Sequence, residues 1–392
     1  MSSRHDTPSR GADSEDSSRN ASSLEAIHIK GFRSLSEIEI TDLPRAAVLI
    51  GANGSGKSNL IRFFEMMSWM LRSRRLAQFI TLQGGADDQL FRGSSVSPRL
   101  EATLSMRTDT GRNDYRFALA HAQPDRFMFV DEAFRFSSEA TDAEHEREWF
   151  LLGSGHTEAE ILKIAQSDSV GSKTARVIVA LLRSCAVYQF HDTSNESRFK
   201  QRWDSSDNAQ LRSHGGNLAA VLLRLEREDI GRFELICYHI GRVLPVFDRF
   251  EVEETNGTVL LRWKARGTDK TFGPHLTSDG SLRLFALVTL LNLPSDMLPD
   301  VLLLDEPELG LHPAGIGLIA GMIKQRSMDR QVIAATQSPR FLDSFDLHEI
   351  VVLELRDGRT LCRRLASQEY QRWIEEFSPG QLWEKNLLGG RP

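Results

Sequence analysis

Alternating apolar and polar residues predict strands in the first third of the chain. Residues 25–31 and 35–43 are two predicted strands, and they lead into the continuous apolar run 46–50, which is typical of a strand buried on both faces. A helix is expected from about Ser58 to Leu76. Beyond it, alternation predicts three antiparallel strands, at residues 96–107, 113–122 and 125–136. This part of the chain is therefore of mixed α/β character.

Helical patterns dominate the next segment, residues 139–245. Thr157 and Glu160 have the spacing of a capping box, which would open a helix over Glu158–Gln166. Apolar residues recur at helical spacing over two longer stretches, residues 174–190 and 217–243. Pro245 would end the last of these helices. No heptad pattern is sustained, so a compact helical lid or arm is expected rather than a long coiled coil.

Strand patterns return after this helical segment. Residues 246–255 and 258–266 flank Asn256-Gly257, a strong signal for a two-residue hairpin turn. The elements predicted after that hairpin are helix 280–292, strand 301–305, helix 314–326, strand 331–336 and hairpin 349–365. A short terminal helix is expected near Trp373–Phe377.

These patterns divide the chain into five predicted segments. Residues 1–23 are rich in Ser, Asp and Arg and cannot bury enough apolar surface to order themselves, so they are expected to form a disordered tail. The remaining segments are a first lobe at 24–138, a helical insertion at 139–245, a second lobe at 246–366, and a C-terminal helix and tail at 367–392.

A complete phosphate-binding loop lies between strand 46–50 and the helix that follows it. Residues 51–58, Gly-Ala-Asn-Gly-Ser-Gly-Lys-Ser, fill every fixed position of the pattern G-x4-G-K-[S/T]. Lys57 would reach the β- and γ-phosphates of ATP, and the Ser58 hydroxyl would bind Mg²⁺. Backbone N–H groups and the helix N-terminus would hold the phosphates. The residues expected to bind the nucleotide are Asn53, Gly54, Ser55, Gly56, Lys57, Ser58 and Asn59.

An acidic partner for this loop follows the apolar strand 301–305. Asp305 would support the Mg²⁺, and Glu306 would act as the general base that orients and deprotonates the attacking water. Lys57 and Asp305 are 248 positions apart (305 − 57), a separation far longer than in a compact kinase or small GTPase. A long gap with helical sequence is the layout of an ATPase whose head is split by an insertion.

Composition limits the remaining possibilities. The chain has 392 residues, is 40% hydrophobic and 26% charged, and carries a formal net charge of −6, so it gives no overall case for nucleic-acid binding. Its three cysteines, Cys185, Cys237 and Cys362, lack metal-ligand spacing and suit a reducing cytoplasm. The sequence contains neither an apolar run long enough to cross a bilayer nor a signal-peptide core. We therefore expect a cytoplasmic protein without a membrane partner.

The phosphate loop, the acidic segment Leu-Leu-Leu-Asp-Glu-Pro-Glu, and the opening segment Ile-Lys-Gly-Phe-Arg-Ser-Leu at 29–35 resemble a known family. The likeness is to ABC-type ATPase heads of the SMC/RecF/OLD branch, and within it to stand-alone bacterial AAA-family RecF-like ATPases. It also includes Gly-Leu-His-Pro after the acids and extends over roughly residues 24–366. The resemblance implies a P-loop NTPase fold with an antiparallel β-subdomain, a helical insertion, and ATP and Mg²⁺ as cofactors.

The resemblance also implies a signature loop that closes on ATP held by a second subunit. Ser278 and Gly280 match this loop, whereas Asp279 replaces a glycine. Asp279 would bring negative charge near the phosphate, or it would cap the following helix. A plain helix start is the alternative interpretation. His312, after the acids, is either a surface residue or a dimer contact.

Two glutamines and one arginine complete the expected site. The family places a glutamine near Mg²⁺ and the water, and Gln83, with Gln89 behind it, is the candidate; a solvated loop residue is the alternative. The switch loop commonly carries a histidine, but Gln337 stands there and cannot become a cation, so slow hydrolysis is expected. Arg33 lies near the nucleotide in resembling heads, or it is an exposed strand-end residue.

Two hypotheses for the function follow. In the first, the protein binds and slowly hydrolyses ATP and forms a homodimer around two ATP molecules, as a switch in DNA repair or anti-phage defence. In the second, it controls a separate effector, such as a nuclease or toxin, without acting on DNA. The chain ends too soon after the switch loop for a nuclease of its own to be expected. Two basic groups would contact DNA phosphates or form solvated faces: Arg72, Arg74 and Arg75, and Arg198, Lys200 and Arg202.

Overall fold

The computed structural model describes residues 22–138, 148–365 and 367–390. Its strands, in chain order, are β1 Ser23–Phe32, β2 Leu35–Ile40, β3 Ala46–Ile50, β4 Arg99–Thr108, β5 Gly111–Ala122, β6 Arg126–Ser138, β7 Phe150–Leu151, β8 Cys185–Tyr188, β9 Trp203–Asp204, β10 Phe247–Phe250, β11 Glu254–Thr255, β12 Thr258–Val259, β13 Trp263–Ala265, β14 Thr271–Phe272, β15 Val301–Asp305, β16 Gln331–Thr336, β17 Ile350–Arg356 and β18 Arg359–Arg364. Its α-helices are α1 Lys57–Ser68, α2 Leu76–Leu82, α3 Ile161–Gln166, α4 Ser172–Arg183, α5 Leu218–Glu228, α6 Ile230–Val243, α7 Asp279–Asn292, α8 Pro313–Arg326, α9 Pro339–Leu342, α10 Ser367–Ile374 and α11 Pro379–Glu384. The predicted tail, residues 1–23, lies outside the described residues except at its end, where Ser23 begins β1.

A six-stranded sheet in the order β18-β17-β3-β16-β15-β8 forms the centre of the fold. Neighbouring strands are parallel except for the β17–β18 hairpin. Along β3, Val48 and Ile50 pack in one hydrophobic core, whereas Ala47 and Leu49 pack in the other. Both faces of the sheet are therefore covered at its centre, which explains why β3 and most of β15 are continuously apolar in sequence.

The second large sheet is antiparallel, in the order β2-β1-β4-β5-β6-β7, and confirms the predicted strands to within a few residues. Gln331, fully buried at the start of β16, ties the two sheets together. Its side chain accepts a hydrogen bond from the Leu24 N–H at 2.8 Å and donates to the Leu24 and Pro44 carbonyls at 2.9 and 3.1 Å. The predicted mixed α/β architecture is thus confirmed.

The segment predicted to be a helical insertion contributes a strand to the central sheet. The helix predicted over 174–190 is wrong beyond Arg183, because β8 follows at once and pairs in parallel with β15. The helix predicted over 217–243 is interrupted at Asp229, whose carboxylate caps α6 by accepting from the Arg232 N–H. Residues 139–147 of the segment lie outside the described residues. The division of the chain into lobes stays a prediction.

Other boundaries differ for identifiable reasons. The capping box predicted at Thr157 and Glu160 is not formed: α3 begins at Ile161, and buried Glu132 of β6 accepts from the N–H groups of Glu160 and Ile161. The terminal helix predicted near Trp373–Phe377 is present as α10, which contains Trp373 but ends at Ile374, and a second helix, α11, follows it. After α1, the chain continues as a π-helical turn over Trp69–Ser73, so the helix expected to reach Leu76 ends early.

Both predicted hairpins are confirmed. Asn256 and Gly257 have φ values of 52° and 72°, which fit a type I′ turn between β11 and β12, although the flanking strands are shorter than predicted. Asp357 and Gly358, with φ values of 51° and 74°, form the equivalent turn between β17 and β18. Within the described part of the chain, no helix is both long and apolar enough to span a membrane.

Candidate functional site

The phosphate loop joins the end of β3 to the start of α1. Gly56 precedes α1 with a φ of 107°, and no side chain caps the helix, so its first N–H groups point into the loop without a side-chain partner. A Cβ on Gly56 would lie 2.2 Å from the Thr360 hydroxyl oxygen of β18. A glycine is required here both by the backbone conformation and by this close approach. The helix N-terminus is therefore available to an anion.

Lys57 is nearly buried and folds back over the loop. Its Nζ donates to the Gly51 carbonyl at 2.6 Å and to the Ala52 carbonyl at 3.0 Å. Burial lowers the pKa of the ammonium group, and the carboxylates of Glu306 and Asp305 oppose that shift. The lysine charge therefore lies within reach of the charges on the acidic strand.

The acids reach this position because β16 lies between β3 and β15, and all three strands are parallel. Their carboxyl ends meet at one edge of the sheet, which is where ligands bind in open α/β folds. Asp305 is half-buried, and burial raises the pKa of its carboxyl group; the nearby Glu306 charge acts in the same direction, whereas His191 acts against it.

Two residues that sequence reasoning missed hold Asp305. Gln189 Nε2 donates to Asp305 Oδ2 at 3.1 Å, and His191 Nε2 lies 3.0 Å from the Asp305 backbone carbonyl. Both directly follow β8, which sits beside β15 in the sheet. The structure thus places the amide of Gln189 beside the acidic strand, whereas the Gln83 side chain accepts from Arg33, and the role of Gln83 at Mg²⁺ stays a prediction. The signal for Gln189, an apolar strand followed by glutamine, was hidden inside the helix predicted over 174–190.

Glu306 and Gln337 meet at the same edge. Glu306 has a φ of 44°, its N–H donates to the Ala335 carbonyl of β16 at 2.8 Å, and its Oε1 accepts from Gln337 Nε2 at 2.5 Å. Behind them, Glu308 is buried and accepts from the Thr336 hydroxyl at 2.5 Å, and burial raises the pKa of its carboxyl group. The predicted base and the predicted switch residue are therefore in direct contact.

The Arg33 side chain is held in place by Gln83 and Gln89. Arg33 has a φ of 48°, and its guanidinium donates to Gln89 Oε1 at 2.8 and 2.9 Å and to Gln83 Oε1 at 3.4 Å. Gln89 is fully buried, so it is the stronger anchor. Burial, together with the charge of Arg62, lowers the pKa of Arg33. The arginine is not a free strand-end residue.

The turn that carries Arg33 is tied to the first turn of α1. Asn59 Nδ2 donates to the Ser34 hydroxyl at 2.7 Å, and that hydroxyl also lies 2.7 Å from the Thr360 hydroxyl. The Asn59 side chain thus connects the β1–β2 turn to the helix that begins at the phosphate loop. Asn53, Gly54 and Ser58 are exposed on the loop itself, where their polar atoms are open to a ligand.

The predicted signature loop begins α7. Ser278, not Asp279, is the N-cap: its hydroxyl accepts from the Ser281 N–H at 3.2 Å. Asp279 Oδ1 lies 3.9 Å from the Nζ of buried Lys200, which offsets part of the negative charge expected to oppose a phosphate. A Cβ on Gly280 would lie 2.4 Å from the Gly310 carbonyl oxygen, so the loop after the acids packs directly on the signature loop.

Three of the remaining predicted residues, His312, Lys200 and Arg72, have structural partners. His312 caps α8, since its Nδ1 accepts from the Ala314 N–H at 3.3 Å. Lys200 donates to the Thr193 carbonyl at 2.7 Å and is buried, so it is removed from the group proposed to contact DNA phosphates. Arg72, Arg74 and Arg75 are all exposed, and Arg72 also donates to the Arg183 carbonyl at 2.6 Å.

The residues present fit a Mg²⁺ ion bound to a nucleotide. The exposed Ser58 hydroxyl and the Asp305 carboxylate are oxygen ligands, the kind that Mg²⁺ prefers, and Gln189 orients the carboxylate. Within the described residues, no cluster of three or more His, Cys, Asp or Glu side chains forms a metal site of its own. Such an ion would therefore be held jointly with phosphate oxygens.

A family model described as "AAA domain, putative AbiEii toxin, Type IV TA system" matches residues 46–343. Among curated proteins, the chain is 36% identical over 77 residues to the DNA replication and repair protein RecF of Anaeromyxobacter dehalogenans (strain 2CP-C), a match that covers 19% of this chain and 20% of that protein. It is 35% identical over 103 residues to RecF of Anaeromyxobacter sp. (strain Fw109-5), covering 26% and 27%. The chain thus spans about a fifth to a quarter of these relatives.

Solved structures match over far more of the chain. An SMC head bound to the C-winged helix domain of ScpA superposes with a TM-score of 0.58 at 17% identity, covering 89% of this chain and 99% of that one. An SMC head with an extended coiled coil, bound to the C-terminal domain of ScpA derived from Pyrococcus furiosus, gives 0.55 at 16% identity, covering 91% and 99%. At these identities, the likeness is one of fold.

Proposed function

This chain belongs to the AAA domain family, and from that premise we propose that it binds and slowly hydrolyses ATP and uses a nucleotide-bound homodimer as a switch. The resemblance to the SMC/RecF branch and the predicted fold, an ABC-type ATPase head, are confirmed by the family match and by the SMC head structures. Family membership supports a general ATPase activity. The dimer, the rate and the biological setting are parts of the proposal.

One observation carries the proposal. Three adjacent parallel strands bring the phosphate loop, Gln337 and the acids to a single edge, with Glu306 held by Gln337 at 2.5 Å. In the proposed reaction, Lys57 leaves the Gly51 and Ala52 carbonyls to neutralise phosphate charge. The Glu306 carboxylate takes a proton from the attacking water. A Mg²⁺ ion held by Ser58 and Asp305 would neutralise further phosphate charge.

Gln337 explains why slow turnover is proposed. Its amide orients Glu306 but cannot carry the positive charge that a protonated histidine would bring to the transition state. We expect wild-type turnover below about 10 per second, the median for enzymes. A markedly higher rate would contradict the interpretation of this site as a switch.

The signature loop supports a dimer. Ser278 and the N-terminus of α7 offer donors to an anion, and Lys200 offsets the negative charge of Asp279. We propose that this loop of one subunit closes on ATP held by the phosphate loop of the other. His312 and Gly310 lie in the loop after the acids and would face the same interface.

ATP hydrolysis by the purified protein, with and without linear double-stranded DNA, tests the proposal, with Glu306→Gln as the blank. DNA-stimulated hydrolysis that vanishes in the variant would support a role in DNA repair, which the RecF relatives favour, or in defence. Hydrolysis that depends on Glu306 but not on DNA would favour the second candidate, control of a separate effector protein. The SMC head structures, which contain bound ScpA domains, favour a protein partner of this kind. A rate equal to the blank would refute the enzyme assignment.

A further inference from the structure

The last described part of the chain runs from the switch loop to the phosphate loop. We call residues 378–390 the strap; they comprise the cap of α11, the helix itself, and the turn and bends that follow it. Its two ends contact different parts of the candidate site, α9 at one end and the phosphate loop at the other.

The first end of the strap packs on α9, the helix that directly follows Gln337 and Ser338. The Gly380 N–H donates to Asp343 Oδ1 at 2.8 Å, just after α9. A Cβ on Gly380 would lie 2.2 Å from the Pro339 carbonyl oxygen, so the two helices approach more closely than any larger residue would allow. Leu382 is fully buried at this contact. This end of the strap is thus fixed to α9, which we call the switch helix because it follows Gln337.

The middle of the strap is held against β18. Arg363 Nη2 donates to the Leu388 carbonyl at 2.7 Å, and the Leu388 side chain is fully buried. Arg363 Nη1 donates to the Tyr370 hydroxyl of α10, also at 2.7 Å. These contacts direct the following two glycines towards the phosphate loop.

The second end of the strap bonds the phosphate loop itself. The Gly390 carbonyl accepts from the Ala52 N–H at 2.8 Å, while the carbonyl of the same Ala52 accepts from Lys57 Nζ at 3.0 Å. Gly390 has a φ of 79°, and a Cβ there would lie 2.8 Å from Val352 Cγ1. Ala52 is therefore held on one side by the strap and on the other by the lysine proposed to move onto a phosphate.

We propose that the strap is a positioning element that fixes Ala52 of the phosphate loop and links it to the switch helix α9, so that it strengthens ATP binding and responds to it. This inference rests on the proposed nucleotide site. By thermodynamic linkage, an element that strengthens ATP binding when docked is itself docked more firmly when ATP is bound. The strap would thus couple occupancy of the phosphate loop to the switch residues.

Two matched substitutions test the strap. Gly390→Asn introduces a Cβ that collides with Val352, a stiff β-branched side chain, and so lifts the Gly390 carbonyl from Ala52. Gly389→Asn is the control, since its φ of 73° is similar and a Cβ there has no neighbour closer than 3.5 Å. Asn is among the residues that tolerate this left-handed conformation, so the strain at the two positions is alike.

The primary measurement is the Kd of ATP with Mg²⁺ for the three full-length proteins, by calorimetry. Loss of one hydrogen bond predicts a Kd about 3- to 10-fold higher for Gly390→Asn than for Gly389→Asn, measured at a temperature at which all three ATP-free proteins are folded. Hydrogen exchange gives the second readout, which a merely structural role would not change. ATP should slow exchange over 378–390 in the wild type and the control but not in Gly390→Asn.

Equal Kd values for the two variants, with equal exchange in the strap, would overturn the proposal. The same holds if ATP protects the phosphate loop of the wild type but leaves 378–390 unchanged. Failure of the wild type to bind ATP at all would refute the nucleotide site first and the strap with it, so the two failures are distinguishable.

Discussion

The role of Gln189 is the sharpest prediction, because the sequence favours a different glutamine. Gln189→Leu removes the amide that donates to Asp305 Oδ2 at 3.1 Å and keeps a side chain of similar volume. A hydrogen bond to a charged group contributes about 1.5–3 kcal/mol. Asp305 is only half-buried, so solvent screening favours the lower limit. We therefore expect Mg²⁺-dependent ATP binding to weaken about tenfold, since about 1.4 kcal/mol corresponds to a factor of ten.

The assay is a Mg²⁺ titration of ATP hydrolysis, with Gln83→Leu as the matched control. Gln83 is also a glutamine near the site, but among the described residues its side-chain oxygen accepts from Arg33 alone, at 3.4 Å. Gln189→Leu should raise the Mg²⁺ concentration at half-maximal rate about tenfold, and Gln83→Leu should leave it nearly unchanged. The opposite pattern, a shift in Gln83→Leu alone, would refute the reasoning from the structure and restore the interpretation from the sequence.

Three further predictions concern stability. Gly56→Ala should lower the thermal midpoint of the ATP-free protein more than Gly54→Ala, as measured by differential scanning fluorimetry. Both glycines have positive φ, but only at Gly56 would the new Cβ lie 2.2 Å from a hydroxyl of β18. Glu308→Gln should raise the thermal midpoint at pH 7–8. Burial raises the pKa of Glu308 above its usual 4.5, so the wild type loses unfolding free energy as the pH rises above 4.5 and the carboxyl group ionises. A gain in midpoint that persists below pH 4.5 would contradict this. Gln331→Leu should cost about 2–4 kcal/mol of unfolding free energy in urea, because buried backbone groups, including those of Leu24, lose their partner; a loss below about 1 kcal/mol would count against this anchor.

The sequence predicted the parts of the site that lie on contiguous motifs. The phosphate loop and the segment with Asp305 and Glu306 each combine a buried strand with a fixed pattern of polar residues, so local sequence defines both. Their meeting at one edge also followed, because parallel strands place their carboxyl ends together. Gln337, which directly follows buried β16, was located through the family resemblance, which places a switch residue there.

Residues that act through long-range contacts were not predictable. Gln189 was missed because apolar residues resume at β8 after only Arg183 and Ser184, and periodicity cannot separate a short buried strand from the end of a helix. The start of α3 was misplaced because its cap is Glu132, a buried carboxylate from β6 that no local pattern reveals. Lys200 was assigned to a basic surface, but burial beside Asp279 gives it a different role.

The measurement that most directly tests the account is the mass of the Glu306→Gln protein by light scattering in ATP with Mg²⁺. The variant should bind ATP without hydrolysing it, and the account predicts about twice the 44.2 kDa of one chain. The doubled mass should be lost in ADP and in a second variant that adds Ser278→Arg, because the signature loop would no longer close on the phosphate. A mass of one chain at an ATP concentration that saturates the site would contradict the proposed dimeric switch.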